Sequence, residues 1–522
     1  MPQPGHETET GARALVGTLA DLGVTACFAN PGTSEMHLVT ALDQEPRIRS
    51  VLGLFEGVAT GAADGYARMT GRPAMTLLHL GPGYLNGGAN LHNARRAHTP
   101  MINVIGDHAT YHRGYDAPLT SDIMGLAAPN LHWIKTLGRA ADAGQMAVEA
   151  WQASFGPPGG PVGLILPADS AWTEGGVRGH AAPRPTHAAP DPDIVEAAAQ
   201  AIRAAKRPMI LIGGSALQAE GLPHAARLEA AGVRVVTDTF YARQARGAGR
   251  FAPGRLAYFA EAALEDLAGH DLMVIAGTKV PVAFFAYPDR QSVLVPEGCE
   301  TFSLGDAALD SAAALAALAD ALGARAQADA LPLALPDRPT GDLSGSTIGA
   351  SLARHMPEGA IVSDDGVSNG LPCFLSTLTA KPHDWLMLTG GAIGLGFPLA
   401  LGAAIAAPDR QVFCLSGDGA GMYTNQALWS QAREGAKVVN VVFVNHSYRI
   451  LNIELHRTGA GNPGPSARGM LELGNPEIDW AGLSRAMGVP AEDAWTADAF
   501  DAALERAVAS DGPYLIAAHV PG

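Results

Sequence analysis

The chain has 522 residues, 47% of them hydrophobic and 16% charged, a composition that supports buried cores and excludes an extended disordered chain. With 35 basic against 51 acidic side chains the net charge is −16, which argues against a nucleic-acid partner and against a polybasic membrane patch. Cys27, Cys299, Cys373 and Cys414 lie far apart without a CxxC pair, so buried thiols are expected rather than a disulfide framework or a zinc site.

At roughly 150 residues per domain the length suggests about three domains. Residues 1–11 are polar and lack a charged-then-apolar signal pattern, and the most apolar stretch, residues 397–407, is too short to span a bilayer. A soluble, cytoplasmic protein without a membrane partner is expected. Two stretches rich in Pro, Ala and Gly, residues 175–192 and 322–345, read as linkers and give domains 1–180, 193–325 and 340–522. Each third alternates short β-branched runs with Ala-rich helical segments, so the predicted class is α/β, three domains, each a parallel sheet wound with helices on both faces.

In the first third an apolar segment ending at Cys27 and Phe28 runs into the turn Asn30-Pro31-Gly32-Thr33-Ser34. Residues 51–55 predict a strand, 57–69 a helix, and 74–80 a strand that ends in the turn Gly81-Pro82-Gly83. Glu56 sits where strand meets helix, a place that caps and dipole partners also occupy. His79, 23 positions later, ends a strand on the same sheet edge. The middle third opens with a strand over 208–212 and Gly213-Gly214-Ser215, like half a Rossmann unit without its GxGxxG. Gly81-Pro82-Gly83-Tyr84-Leu85-Asn86 also falls one glycine short, so a nicotinamide dehydrogenase has little support.

The last third predicts a strand over 412–415, a turn at Gly417-Asp418-Gly419, a helix over 424–434 and a strand over 438–444. A right-handed crossover lays those two strands side by side, with Asp418 and Asn445, 27 positions apart, just past their ends. Two oxygen ligands then meet at one sheet edge. Gly417, Gly419 and Gly421 bare the backbone N–H groups of the same turn, so a hard cation such as magnesium bridging to a diphosphate fits the pattern.

Gly417-Asp418-Gly419 followed by Val444-Asn445-His446-Ser447 resembles the thiamine-diphosphate (ThDP) motif of the decarboxylase and acetolactate-synthase superfamily, with Val444 in place of the first of two asparagines. The resemblance implies magnesium bound by the side chains of Asp418 and Asn445 and the backbone carbonyl of Ser447, with Ala420 in the same cofactor turn. Gly391-Ala392-Ile393-Gly394-Leu395-Gly396-Phe397 matches the cofactor-bending segment, with Ile393 beneath the bent cofactor and the Gly391 carbonyl accepting from the aminopyrimidine. Residues 365–369 resemble the other diphosphate loop. Phe55-Glu56-Gly57, with Ala63-Asp64-Gly65-Tyr66-Ala67-Arg68 and Gly71-Arg72-Pro73, resembles the pyrimidine-domain signature. In the family that glutamate shares a proton with N1′ of the aminopyrimidine, work that needs a carboxyl shielded from water. Glu56 and Asp418 of one site come from different subunits in the family, which implies a homodimer or dimer of dimers with sites at the interface.

Benzoylformate decarboxylase, a member of that superfamily, carries a catalytic histidine at the place of His79. Its turn resembles Asn30 to Glu35, where a hydroxyl binds the substrate carboxylate; Thr33 matches, with Ser34 beside it. Its second histidine should fall near Phe284-Phe285-Ala286-Tyr287, where this chain has none, so carboligation or aldehyde lysis stays open beside decarboxylation. Phe284, Phe285, Ile450 and Leu451 are the candidate substrate lining, with Tyr287, and suit an apolar acyl tail. The reading is a magnesium- and ThDP-dependent lyase acting on a 2-oxo acid. The alternatives are an acetolactate-synthase-type carboligase, although Gly57 replaces that family's glutamine and no specific FAD signature is present, and a catalytically silent ThDP-fold binding protein.

Overall fold

Parallel strands alternate with helices through almost the whole chain in the computed structural model, which describes residues 9–521. The expectation about the first eleven residues therefore falls mostly outside the described residues. No helix among those described is long and apolar enough to cross a membrane.

The chain collects into two compact units. One holds the residues up to Thr186 with Thr389–Asp409 and Tyr423–Val438; the other holds His187–Leu388, Arg410–Met422 and the chain from Val439 onward. The first unit is built on a six-stranded sheet in the order Arg49–Leu52, Ala26–Ala29, Ala74–Leu78, Met101–Asp107, Pro161–Pro167, Ile134–Thr136, with every pair parallel. Its central strands are buried on both faces, which explains why they are mostly apolar, with the buried Thr76 Oγ1 donating to Asn103 Oδ1 at 2.7 Å. The second unit carries a five-stranded sheet with Pro208–Ile212 at its centre and a seven-stranded sheet containing the neighbours Val412–Gly417 and Val438–Val444.

Some expected boundaries move. The strand predicted over 51–55 is Arg49–Leu52, and residues 53–55 form a loop into the helix Glu56–Thr70. The strand predicted over 74–80 stops at Leu78, and Gly81-Pro82-Gly83 is not a turn but the opening of the helix Leu80–Arg96. Proline is tolerated there because the first N–H groups of a helix have no partner to lose. Asp418–Gly421 is likewise a short helical turn, and the helix expected from Thr424 begins at Ala427. The predicted strand 438–444 matches Val438–Val444. Nor does each sheet draw only on its own third. Arg243–Arg246, from the middle stretch, pairs antiparallel with His383–Met387 at the edge of the seven-stranded sheet. Cys27, Cys373 and Cys414 are buried free thiols and Cys299 is half-buried.

Small residues let the Glu56 helix lie close to the helix Gly396–Ala406 within the first unit. A Cβ on Gly65 would run into the Leu399 carbonyl, and one on Gly402 into that of Ala62. The same helix holds a buried ion pair, Arg68 Nη2 to Asp64 Oδ2 at 2.6 Å, and Thr99 Oγ1 donates to Asp64 Oδ1 at 2.7 Å. Removing either charge would strand the other in the core, at a cost of about 3–5 kcal/mol. The Ala63 to Arg68 signature thus has a structural reason independent of chemistry.

Candidate active site

Glu56 is the first residue of its helix and is only 5% exposed. Asn86, on the helix Leu80–Arg96, donates from Nδ2 to Glu56 Oε2 at 2.9 Å. A Cβ on Gly83 would lie 3.1 Å from Glu56 Oε1 and 3.3 Å from His79 Cβ, so the glycine lets these two side chains flank one backbone position. His79 precedes the same helix, and its Nδ1 is 2.8 Å from Oε2 of Glu35. Glu35 is buried and also accepts from the Gly32 N–H at 2.8 Å. Burial pushes its carboxyl above the usual range, against the pull of His79. The contact orients the imidazole and leaves its other nitrogen for chemistry. Thr33 and Ser34 lie with Glu35 in one 3₁₀ turn, and neither hydroxyl has a partner among the described residues. The turn that carries them therefore lies beside His79.

Gly417 ends a strand and Asp418 opens the short helical turn, while Asn445 follows the neighbouring strand. Asp418 is buried and uses both oxygens: Oδ1 accepts from the Gly419 N–H at 2.8 Å, and Oδ2 from the N–H of Asn445 at 3.1 Å and of His446 at 2.7 Å. His446 reaches it through a left-handed backbone, φ +55°, which costs a non-glycine residue on the order of 1 kcal/mol. Burial raises the Asp418 carboxyl against these three N–H bonds, a tension that a bound cation would relieve. Asn445 Oδ1 accepts from the Ser447 N–H at 3.1 Å, whereas the Ser447 carbonyl has no partner among the described residues. A Cβ on Gly419 would overlap the Tyr448 ring, so only glycine fits, and Ala420 is buried beside it. Carboxylate, carboxamide and backbone carbonyl are hard oxygen donors, few in number, and they fit magnesium, which keeps open positions for water and phosphate oxygens. Among the described residues there is no group of three or more His, Cys, Asp or Glu placed for a metal.

Ile393 is half-buried in the irregular segment after Met387 and is not part of the packed core, and Gly391 has φ +74°. Residues 365–369 span a strand end and a 3₁₀ turn, with Asp365 and Asn369 buried. Phe284 and Phe285 are exposed and cluster with Phe240 and Tyr258. Tyr287 Oη donates to Glu454 Oε2 at 2.7 Å, which ties this loop to the helix Arg449–Arg457. Ile450 lies one turn before Glu454 on the same helix face, and Leu451 is exposed. Glu56, His79, Thr33, Ser34, Gly391 and Ile393 fall in the first unit; Asp418, Asn445, Ser447 and the four lining candidates fall in the second.

Sequence reasoning missed Glu35 and Asn86. Glu35 was visible as the end of the Asn30 turn, and Asn86 as the end of the glycine-rich run, but neither carries a spacing that names its partner.

Two family models match the chain: the N-terminal TPP-binding domain of thiamine pyrophosphate enzymes over residues 9–128, and their C-terminal TPP-binding domain over residues 374–518. The IlvX protein of Mycobacterium tuberculosis, assigned only provisionally as an acetolactate synthase large subunit, is 50% identical over 98% of this chain and 99% of its own. Benzoylformate decarboxylase of Pseudomonas aeruginosa is 30% identical over 95% of this chain and 96% of its own. Among solved structures, the ThDP-dependent 4-hydroxybenzoylformate decarboxylase of Rhodococcus jostii superposes with a TM-score of 0.85 at 23% identity, covering 98% of this chain and 99% of that one, a likeness of fold.

Proposed function

Because the chain belongs to the thiamine pyrophosphate enzymes, with their N- and C-terminal TPP-binding domains, we propose that it is a magnesium- and ThDP-dependent lyase that removes carbon dioxide from a 2-oxo acid, with carboligation as a second outcome. ThDP, when bound, supplies the carbanion-forming thiazolium chemistry. The chain's own residues do the rest. Glu56, shielded from water, exchanges a proton with the aminopyrimidine N1′. Asp418, Asn445 and the Ser447 carbonyl hold magnesium against the diphosphate. Thr33 and Ser34 offer hydroxyls to the substrate carboxylate, and His79 handles a proton on the substrate side.

The observation that carries the decarboxylase reading is the His79 to Glu35 contact of 2.8 Å, in the turn whose Thr33 and Ser34 hydroxyls have no partner among the described residues. A carboxylate-oriented imidazole next to hydroxyl donors suits a 2-oxo acid better than a site without acid–base groups would. The 50% identity to a protein assigned as a synthase subunit favours the second reading, an acetolactate-type carboligase. For the oligomer, we propose a homodimer or dimer of dimers that completes each site. Leu54 and Leu85, which shortly precede Glu56 and Asn86 in sequence, are 45% and 58% exposed, and Leu371 and Leu375 on the helix Gly370–Ser376 are 52% and 59% exposed, apolar surface of the kind a second copy covers.

A panel of 2-oxo acids, assayed with magnesium and ThDP for carbon dioxide, aldehyde and hydroxyketone, tests the reading. Phenyl and branched-chain substrates are expected to outperform pyruvate, because the candidate lining is apolar. Pyruvate preferred with acetolactate accumulating would establish the carboligase. ThDP bound with no substrate turned over would leave a binding protein.

A further inference from the structure

Residues 389–395 cross the first unit without helix or strand, so their backbone groups must find partners elsewhere. The helix Leu80–Arg96 supplies most of them. His92 Nε2 donates to the Gly390 carbonyl at 3.1 Å, and Asn93 Nδ2 donates to the Ala392 carbonyl at 2.8 Å. Asn93 Oδ1 accepts from the N–H of Gly390 and of Ala392, both at 3.2 Å. The Gly394 carbonyl accepts from Thr424 Oγ1 at 2.7 Å and from Asn90 Nδ2 at 3.5 Å. The even-numbered carbonyls 390, 392 and 394 are thus all taken. The carbonyls of Gly391 and Ile393 have no partner among the described residues.

Asn93 is wholly buried, and Nδ2 also donates to Asn90 Oδ1 at 3.1 Å, so its four hydrogen-bonding capacities are all in use. Three of them act on Gly390 and Ala392, the residues either side of Gly391, and the Ala392 N–H belongs to the same peptide as the Gly391 carbonyl. We infer that Asn93 is a positioning residue: by turning its neighbours' peptides inward, it presents the Gly391 carbonyl outward as the acceptor for the 4′-amino group of the aminopyrimidine. This rests on the ThDP reading above and names the residue that sets one of its contacts. The same helix reaches Glu56 through Asn86 and the Gly57 carbonyl through Asn90 at 2.8 Å. Residues 86, 90 and 93 lie on one helix face, so a single rigid element contacts both the start of the Glu56 helix and the segment that carries Gly391.

The test is equilibrium binding without substrate, followed by calorimetry in saturating magnesium, of ThDP and of its 4′-deamino analogue, to the wild type and to Asn93→Ala. A positioned acceptor is worth on the order of tenfold in affinity. Asn93→Ala is expected to bind ThDP about tenfold more weakly and the analogue within about twofold of wild type, since the analogue has no amino group for Gly391 to accept. Equal losses for both ligands would make Asn93 merely structural and overturn the inference. Should Asn93→Ala fail to fold, Asn93→Ser carries the same comparison with a smaller unequal loss expected, and equal losses there overturn it too. Wild-type protein that binds neither ligand would instead overturn the ThDP reading itself.

Discussion

Nδ1 of His79 lies 2.8 Å from Oε2 of the buried Glu35, two residues brought together from 44 positions apart by neighbouring parallel strands. The strand Ala26–Ala29 ends in the turn that carries Glu35, and its partner Ala74–Leu78 ends at His79. A carboxylate on one ring nitrogen fixes the tautomer and the orientation of the ring.

Replacing Glu35 by Gln keeps the volume and removes the charge that steadies a protonated imidazole. Glu35→Gln is expected to slow turnover on the best 2-oxo acid about tenfold to a hundredfold while ThDP affinity stays within about twofold. His79→Ala should slow release of product after carbon dioxide loss more than it weakens cofactor binding. The two together should cost little more than His79→Ala alone, because Glu35 acts through the ring. Additive losses would separate the two residues and return Glu35 to a role in core polarity.

Asp418 is both a metal-ligand candidate and the acceptor of three backbone N–H groups. Asp418→Ala therefore has two costs. Stripping the acceptor from buried N–H groups is expected to lower the stability of the apoprotein by about 1–3 kcal/mol, measured by urea unfolding. Losing the metal bridge is expected to abolish the rise in melting temperature that magnesium and ThDP give the wild type. A variant that still gains that rise would overturn the metal assignment.

Much of this was legible from local pattern. The strand Val438–Val444 and the placement of Asp418 and Asn445 follow from apolar runs bounded by glycines, because a crossover between parallel strands leaves little choice of hand. Glu56 was legible for the same reason, as a polar residue between an apolar run and a small-residue helix. What could not be read is long-range or set by backbone strain. Leu80 takes φ +51°, and that single left-handed residue turns Gly81-Pro82-Gly83 from an apparent turn into a helix start. Arg243–Arg246 joins a sheet whose other strands begin more than a hundred residues later, and its composition does not announce that partner. The Asn86, Asn90 and Asn93 ladder looks like an ordinary polar helix face until the segment 389–395 is seen to run without helix or strand.

The proposed subunit-shared site gives a complementation experiment. Glu56→Gln alone should be nearly inactive for want of the N1′ proton partner, and Asp418→Ala alone for want of the metal. If each site takes Glu56 from one chain and Asp418 from the other, a mixed dimer of the two variants gathers both defects in one site and leaves the second intact. With random mixing about half the dimers are mixed, each with one good site in two, so activity should recover to roughly a quarter of wild type. Because Asp418→Ala also loosens the apoprotein, subunit exchange must be verified independently, by mass-labelled chains in native mass spectrometry. Recovery near a quarter would establish that the chains share each site. No recovery despite verified exchange would mean that each site is completed within one chain, or that one site cannot turn over while the other is dead; mixed dimers of wild type with the double variant Glu56→Gln, Asp418→Ala separate these, since a site completed within one chain leaves the wild-type protomer active, whereas shared sites each carry one defect and stay dead.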